Sequence, residues 1–197
     1  MSGTAARRQR ETPENPSDKK LIARCIKGDE AAWTALIDKY KNLIYSIPIK
    51  LGMYQEAGDI FQAVCVELLT GLPQLREDRA LPKWLIQTCY HKCLRQQRVD
   101  ERHVELEAED LETTAELDGI AVPEAMLVQL ENEQMVRDAI SDLPDRCTRL
   151  IQMLFFEVPS RPYEDVAKEL GLATGSIGFI RGRCLSRLKK ELEKKGF

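Results

Sequence analysis

Apolar residues recur three or four positions apart through most of the chain, and no stretch is strand-rich, so the pattern predicts helices throughout. Leu21, Ile22, Cys25 and Ile26 mark a first short helix, capped by Asp18 and closed at Gly28. Asp29 caps a second, on which Ala32, Trp33, Leu36, Ile37, Tyr40, Leu43, Ile44 and Ile47 keep helical spacing until Pro48 stops or kinks it. A third helix, from about Gln55 to Thr70, turns Ile60, Phe61, Val64, Cys65 and Leu68 inward and ends at Gly71 and Pro73. Glu56, Asp59, Gln62 and Glu67 decorate its other side, which suits plain solvation or a docking face for a basic partner. The fourth opens at Pro82, tolerated in a first turn, and runs to about Arg102 with Ile86, Cys89, Tyr90, Cys93 and Leu94 on its buried side.

Pro123 starts a second helical unit, carried by Leu127, Leu130, Val136, Ala139 and Ile140 to Leu143-Pro144. A helix from Asp145 follows, with Cys147, Leu150, Ile151, Leu154 and Phe155 as its apolar face. Two short helices then flank a tight turn. Val166, Ala167 and Leu170 form one apolar face, Gly171 supplies a cap able to take positive φ, and Thr174 can cap the next helix. On that last helix Ile177, Ile180, Cys184, Leu185 and Leu188 recur at helical spacing. Small Ala167 at the crossing and the bend at Gly171 are the logic of a helix-turn-helix, whose second helix enters the DNA major groove.

Charge must be read by segment, because the whole chain carries 29 basic against 32 acidic residues, a net charge of −3. From Thr174 to the end, Arg181, Arg183, Arg187, Lys189, Lys190, Lys194 and Lys195 face only Glu191 and Glu193. Gly175, Gly178 and Gly182 lie along the same helix, where each glycine costs about 1 kcal/mol relative to alanine. Close approach of the helix backbone to DNA would justify them; an ordinary surface hairpin with a solvated basic face is the blander account. Earlier in the chain, Trp84, Gln87, His91, Arg95, Arg98 and Arg102 make a stripe on the fourth helix, with Lys92 and Gln96 beside it. An exposed aromatic followed by basic and amide groups suits phosphate contact with base stacking, a solvated basic face being the alternative.

Between these regions composition changes sharply: residues 100–118 hold nine acidic side chains against Arg102 alone, and 100–122 reads as a flexible acidic linker. Residues 1–17 lack periodicity and read as a disordered tail, with no apolar signal core. No apolar run approaches a membrane span, so no membrane partner and a cytoplasmic location are expected.

Six cysteines (25, 65, 89, 93, 147 and 184) are scattered without a disulfide-framework rhythm and read as buried structural thiols. Cys89 and Cys93 share a helix face while His91 between them points away, so those three cannot hold one metal ion unless the helix breaks. No phosphate loop, paired nucleophile and base, or metal set is present, and two histidines leave little general-base material. The chain is read as a non-enzyme without cofactor.

Two helical units joined by an acidic linker suggest two-point DNA contact, and the residues then match a known family. The chain resembles sigma-70-type RNA polymerase sigma factors of the small extracytoplasmic-function (ECF) group. The resemblance rests on Gly28-Asp29 with Ala32, Leu36 and Tyr40; on Glu56-Ala-Gly-Asp59-Ile-Phe-Gln62; and on Trp84-Leu85 with the basic helix after it. In the second unit it rests on Ile140-Ser-Asp-Leu-Pro144-Asp-Arg146 and on the helix-turn-helix from Tyr163 to Lys190.

This resemblance implies a region-2-like domain over 18–99, the linker over 100–122 and a region-4-like domain over 123–197. It implies docking to core RNA polymerase through Glu56, Asp59 and Gln62. Minus-10 DNA would be read and melted by Trp84, Gln87, His91, Lys92, Arg95 and Arg98. Minus-35 DNA would be read by Thr174, Ser176, Gly178, Phe179, Arg181, Arg183 and Arg187. An anti-sigma factor is a further implied partner. The chain departs from the family at Gly58, where an acid is common, at His91, where many members have Asn, and at Gly178 and Phe179, which replace basic and small residues. A helix-turn-helix regulator acting without polymerase is the competing reading, as is a protein-only adaptor.

Overall fold

The computed structural model describes residues 17–75, 80–104 and 120–197, with side chains for all of these but 100–104. Eight α-helices occur among the described residues, and no strand. They are α1 (Asp18–Ile26), α2 (Glu30–Lys50), α3 (Ala57–Gly71), α4 (Leu81–Val104), α5 (Glu124–Ser141), α6 (Asp145–Phe155), α7 (Tyr163–Leu170) and α8 (Ile177–Lys195). One compact unit runs from Pro16 to Gln134 and the other contains Met135–Phe197. The expected tail lies outside the described residues except for Ser17. The expected acidic linker does so over 105–119, while the backbone of 100–104 is still helical.

In the first unit α1 to α4 close around Leu36, Leu43, Ile44, Ile47, Val64, Leu85, Ile86, Cys89 and Cys93, all without measurable exposure. The turn between α1 and α2 follows from two residues. Gly28 takes φ +83°, and the Asp29 carboxylate accepts the Ala32 amide at 3.1 Å. A guanidinium hydrogen bond from Arg24 and that amide hold the Asp29 carboxyl below its usual range. Asp18, expected as a cap, has another role: Ser17 occupies the capping position, and Asp18 accepts from Lys39 Nζ and from the Tyr40 hydroxyl, both at 2.7 Å. Tyr40 is 1% exposed, and Asp18 gives its buried hydroxyl an acceptor. Pro48 does not stop α2 at its own position, since the helix reaches Lys50.

The first unit extends past residue 122. Val122 and Leu130 are buried in its core, Lys50 pairs with Glu133 at 2.8 Å, and Gln134 Nε2 donates to the Lys39 carbonyl at 3.4 Å. Leu127 and Leu130, expected to belong with the second unit, pack here instead.

The core of the second unit comprises Ile140, Leu143, Cys147, Leu150, Ile151, Met153, Val166, Ala167, Ile177 and Cys184. Thr148 joins the end of α5 to α6 by donating to the carbonyls of Ile140 (2.9 Å) and Leu143 (3.2 Å). Phe155, expected on the apolar face of α6, is instead more than half exposed. Cys147 on α6 and Cys184 on α8 are joined by a disulfide with their Cα atoms 5.3 Å apart. The sequence reading of buried thiols is corrected for these two: a separation of 37 residues carries no signal of where two helices cross. The other four cysteines are thiols.

Candidate DNA and polymerase interface

The helix-turn-helix is built from α7, the following turn and α8. Gly171 adopts φ +62°, ψ +42°, and behind it the Leu172 amide reaches the Ala167 carbonyl at 2.8 Å. This closes α7 in a few residues and lets the chain reverse. Thr174 does not cap α8. Thr174–Ser176 form a single 3-10 turn, and α8 starts at Ile177 after Ser176, whose Oγ donates to the Ala173 carbonyl at 2.6 Å. Ile177 and Cys184 then seat α8 on the core, with Ile180 and Leu188 half-buried beside them, while Leu185 stays exposed.

At 100° per residue, Phe179, Gly182, Arg183 and Ser186 fall opposite Ile177 and Cys184 and form the outward ridge of α8. Phe179 is 71% exposed, an unusual placement for an aromatic ring. The Arg183 guanidinium lies 5.9 Å from that ring. A Cβ built on Gly175, Gly178 or Gly182 would meet nothing within 4 Å, and none of the three has positive φ. Neither packing nor backbone geometry therefore requires these glycines.

Arg181 and Arg187 sit on opposite flanks of this ridge. Arg181 Nη1 donates to the Tyr163 hydroxyl on α7 at 2.6 Å, and Arg187 Nη1 lies 4.0 Å from Cys147 Sγ. Among the described residues neither Arg181 nor Arg183 has a carboxylate partner. The lysines nearer the end of α8 are different: Lys189 faces Glu193, Lys194 pairs with Glu191 and Lys195 with Asp142. Arg187 and Lys190 likewise lack a carboxylate partner among the described residues, so unpaired positive charge runs along α8 from Arg181 to Lys190. Tyr163, which orients Arg181, was missed in the sequence because it lies on α7, a whole helix before the arginine it meets.

The α4 stripe is less open than expected. Trp84 is half-buried on the first core, and its indole covers Gly71, where a Cβ would come within 2.8 Å of the ring. It is a joint between α3 and α4, and the expected exposed stacking platform is corrected accordingly. Lys92 is paired with Glu67 of α3. His91 Nε2 donates to the Ile120 carbonyl at 2.9 Å. Gln87 is exposed, and Arg95 and Arg98 are half-buried along the same face.

The Cys89 thiol is held protonated by its hydrogen bond with Cys93 and by burial, and Cys89 Sγ donates to the Ile44 carbonyl at 3.4 Å. No set of three metal-ligating side chains converges among the described residues.

On α3, Glu56 stands half-exposed before the first turn, and Asp59 and Gln62 are exposed. Val66 (64% exposed) and Leu69 (55%) continue their stripe at helical spacing. Apolar residues on the polar side of an amphipathic helix were the signal the sequence offered and the periodicity count passed over. Tyr45 and Phe61 stack nearby with centroids 4.5 Å apart. No described helix is long and apolar enough to cross a membrane.

The class these features define is an all-helical protein in which a four-helix unit precedes a helix-turn-helix unit with a basic, glycine-lined outer helix. No family model matches the chain. It is 28% identical to the RNA polymerase sigma-H factor of Pseudomonas aeruginosa over 183 residues, 89% of this chain and 94% of that protein. It is 25% identical to the ECF RNA polymerase sigma-E factor of Escherichia coli over 170 residues, 83% of this chain and 88% of that protein. The sigma-E factor of Haemophilus influenzae is 23% identical over 188 residues, 92% of this chain and 96% of that protein. These relatives support assignment of the chain to the ECF group of sigma-70-type sigma factors.

Proposed function

We propose that this chain is a sigma factor that binds core RNA polymerase and directs promoter recognition, DNA melting and initiation of transcription. The observation that carries the reading is similarity to sigma factors along 83–92% of the chain, which spans both helical units and not the helix-turn-helix alone. A regulator sharing only the DNA-reading motif would match over the second unit only.

The α3 stripe of Asp59 and Gln62, with Glu56 before it and Val66 and Leu69 beyond, docks the polymerase. Carboxylate and amide groups supply direction, and the apolar pair supplies buried area. Gln87, His91, Arg95 and Arg98 face the minus-10 element, with Trp84 and Lys92 bracing α4 against α3 behind them. The outward ridge of α8 enters the major groove at the minus-35 element. There Phe179 offers an apolar surface to a thymine methyl, Arg183 and Arg181 donate to guanine edges or phosphates, and the glycines allow the backbone close. Thr174 and Ser176 lie at the entry to the helix, where hydroxyls reach phosphates. The acidic residues of 100–118 act as a linker that mimics nucleic acid against basic walls of the polymerase. The protein performs no catalysis of its own, works in the cytoplasm where the polymerase is, and is a target for an anti-sigma factor.

Transcription by purified core polymerase over a randomised promoter library tests the reading. The expected result is initiation at a discrete two-element motif only when the chain is present. Gln87→Ala and Arg98→Ala should be rescued in part by a template pre-melted at minus 10, and Arg181→Ala should not. Absence of any chain-dependent start site would refute the assignment.

A further inference from the structure

The disulfide of the second unit joins the helix proposed to read DNA to the helix that carries it. Cys184 lies one turn past Arg181 on α8, and Cys147 lies in the first turn of α6. Both are buried, at 1% and 5% exposure, and their Cα separation of 5.3 Å is that of an ordinary disulfide with the helices packed as they are. The four remaining cysteines are thiols, so the pairing is selective. Arg187, one turn beyond Cys184, places its guanidinium 4.0 Å from Cys147 Sγ, and a neighbouring cation favours the thiolate over the thiol.

We propose that Cys147 and Cys184 are a reversible redox pair, oxidised by small disulfides of the glutathione type, that locks α8 for promoter binding. The proposal rests on the sigma-factor reading, because it is the cytoplasmic setting that makes a disulfide regulatory instead of permanent. Transient lifting of α8 exposes both sulfurs. The Cys147 thiolate attacks one sulfur of the small disulfide, forming a mixed disulfide and expelling one thiolate, which takes up the proton lost from Cys147. The Cys184 thiolate then attacks the mixed disulfide at Cys147 sulfur, and the second small thiolate leaves and takes up the Cys184 proton. Two cysteine thiols are oxidised by two electrons, and one small disulfide is reduced to two thiols. Once closed, the bond holds α8 on α6, and a small thiolate that reaches it through local opening reverses the two exchanges. In the dithiol form the same packing persists without the covalent restraint, so the reading helix is presented less of the time.

The test uses the full chain, equilibrated with reduced and oxidised glutathione in ratios from strongly reducing to strongly oxidising. Alkylation trapping and peptide mass spectrometry measure the Cys147–Cys184 bond. Thermal melts and promoter titration of the core-polymerase complex are run on the same samples. The bond is expected to form and break across the series. Oxidation should raise the melting temperature of the second unit by roughly 10 °C. Promoter affinity should rise by about fivefold or more. The double variant, Cys147→Ala with Cys184→Ala, should melt as cooperatively as the reduced chain and lose the glutathione response of promoter affinity, while each single variant should stop at the mixed disulfide without the rise in melting temperature.

A bond that stays closed, or open, at every ratio overturns the proposal. So does a bond that titrates without changing promoter affinity, or an unchanged response in the double variant. Failure of the sigma-factor reading looks different: no core-dependent promoter binding by the wild type or the double variant at any ratio, whatever the state of the bond.

Discussion

The Tyr163 hydroxyl accepts a 2.6 Å hydrogen bond from Arg181 Nη1, so the opening residue of α7 sets the direction of a guanidinium on α8. The ring also lies 6.0 Å from the Arg181 Cζ. Tyr163→Phe keeps the ring and removes the hydroxyl. Stability should change by less than about 0.5 kcal/mol, because the site is exposed. Affinity of the polymerase complex for its preferred minus-35 sequence should fall while affinity for a scrambled one holds. Arg181→Ala should cost ~1–3 kcal/mol of discrimination if the contact is to a base, and should instead weaken all sequences and flatten the salt slope if it is to phosphate. Competition titrations at two salt concentrations separate these outcomes.

The glycines divide into two kinds with opposite expected signs. Gly178→Ala and Gly182→Ala place a methyl in open space on an exposed helix and should stabilise the fold by about 0.5–1 kcal/mol each. The Gly182 methyl stands on the ridge proposed to meet DNA and the Gly178 methyl beside it, so promoter binding should weaken as stability rises. Gly71→Ala, also helical, brings its Cβ to 2.8 Å of the Trp84 indole, which the core holds in place; a net loss of roughly 1–3 kcal/mol is expected. Urea titration measures all three. A gain in both stability and DNA affinity at Gly178 would remove the close-approach argument.

Much of this architecture was legible in the sequence, because each helix carries an uninterrupted apolar period and the turns at Gly28-Asp29 and Gly171 have chemistry of their own. What was not legible was where side chains meet across helices. Trp84 reads as exposed in a helical projection of α4, yet its partner Gly71 lies on α3. Asp18 has the composition of a cap, but Lys39 and Tyr40 draw its carboxylate away. Leu127 and Leu130 keep the period of α5 without indicating which core they enter. On α3 the candidate docking stripe was half visible: Asp59 and Gln62 stood out as polar, while Val66 and Leu69 passed as ordinary apolar residues.

Asp18 ties α1 to α2 through a buried phenol. Asp18→Ala leaves the Tyr40 hydroxyl, in a residue 1% exposed, without this acceptor and should cost about 1–3 kcal/mol. In a Tyr40→Phe background the same change should cost measurably less, since the two residues share one bond. Equal costs in both backgrounds would show that the bond contributes nothing.

Cys89 and Cys93 are fully buried thiols whose neighbour His91 is engaged with the Ile120 carbonyl. The double change to serine should lower stability by about 1–3 kcal/mol through burial of hydroxyls in a thiol-shaped site. Elemental analysis of the purified wild type should find no stoichiometric zinc. One zinc per chain, lost in the double variant, would overturn this assignment.

DNA recognition by this chain is expected to belong to a polymerase complex and not to the chain alone. Fluorescence anisotropy of a labelled promoter fragment, titrated with the full chain in the presence and absence of core RNA polymerase, measures this directly. The predicted result is tight, sequence-specific binding with core polymerase and only weak, salt-sensitive binding without it, with Asp59→Arg abolishing the difference. Equal sequence-specific affinity with and without polymerase would contradict the account.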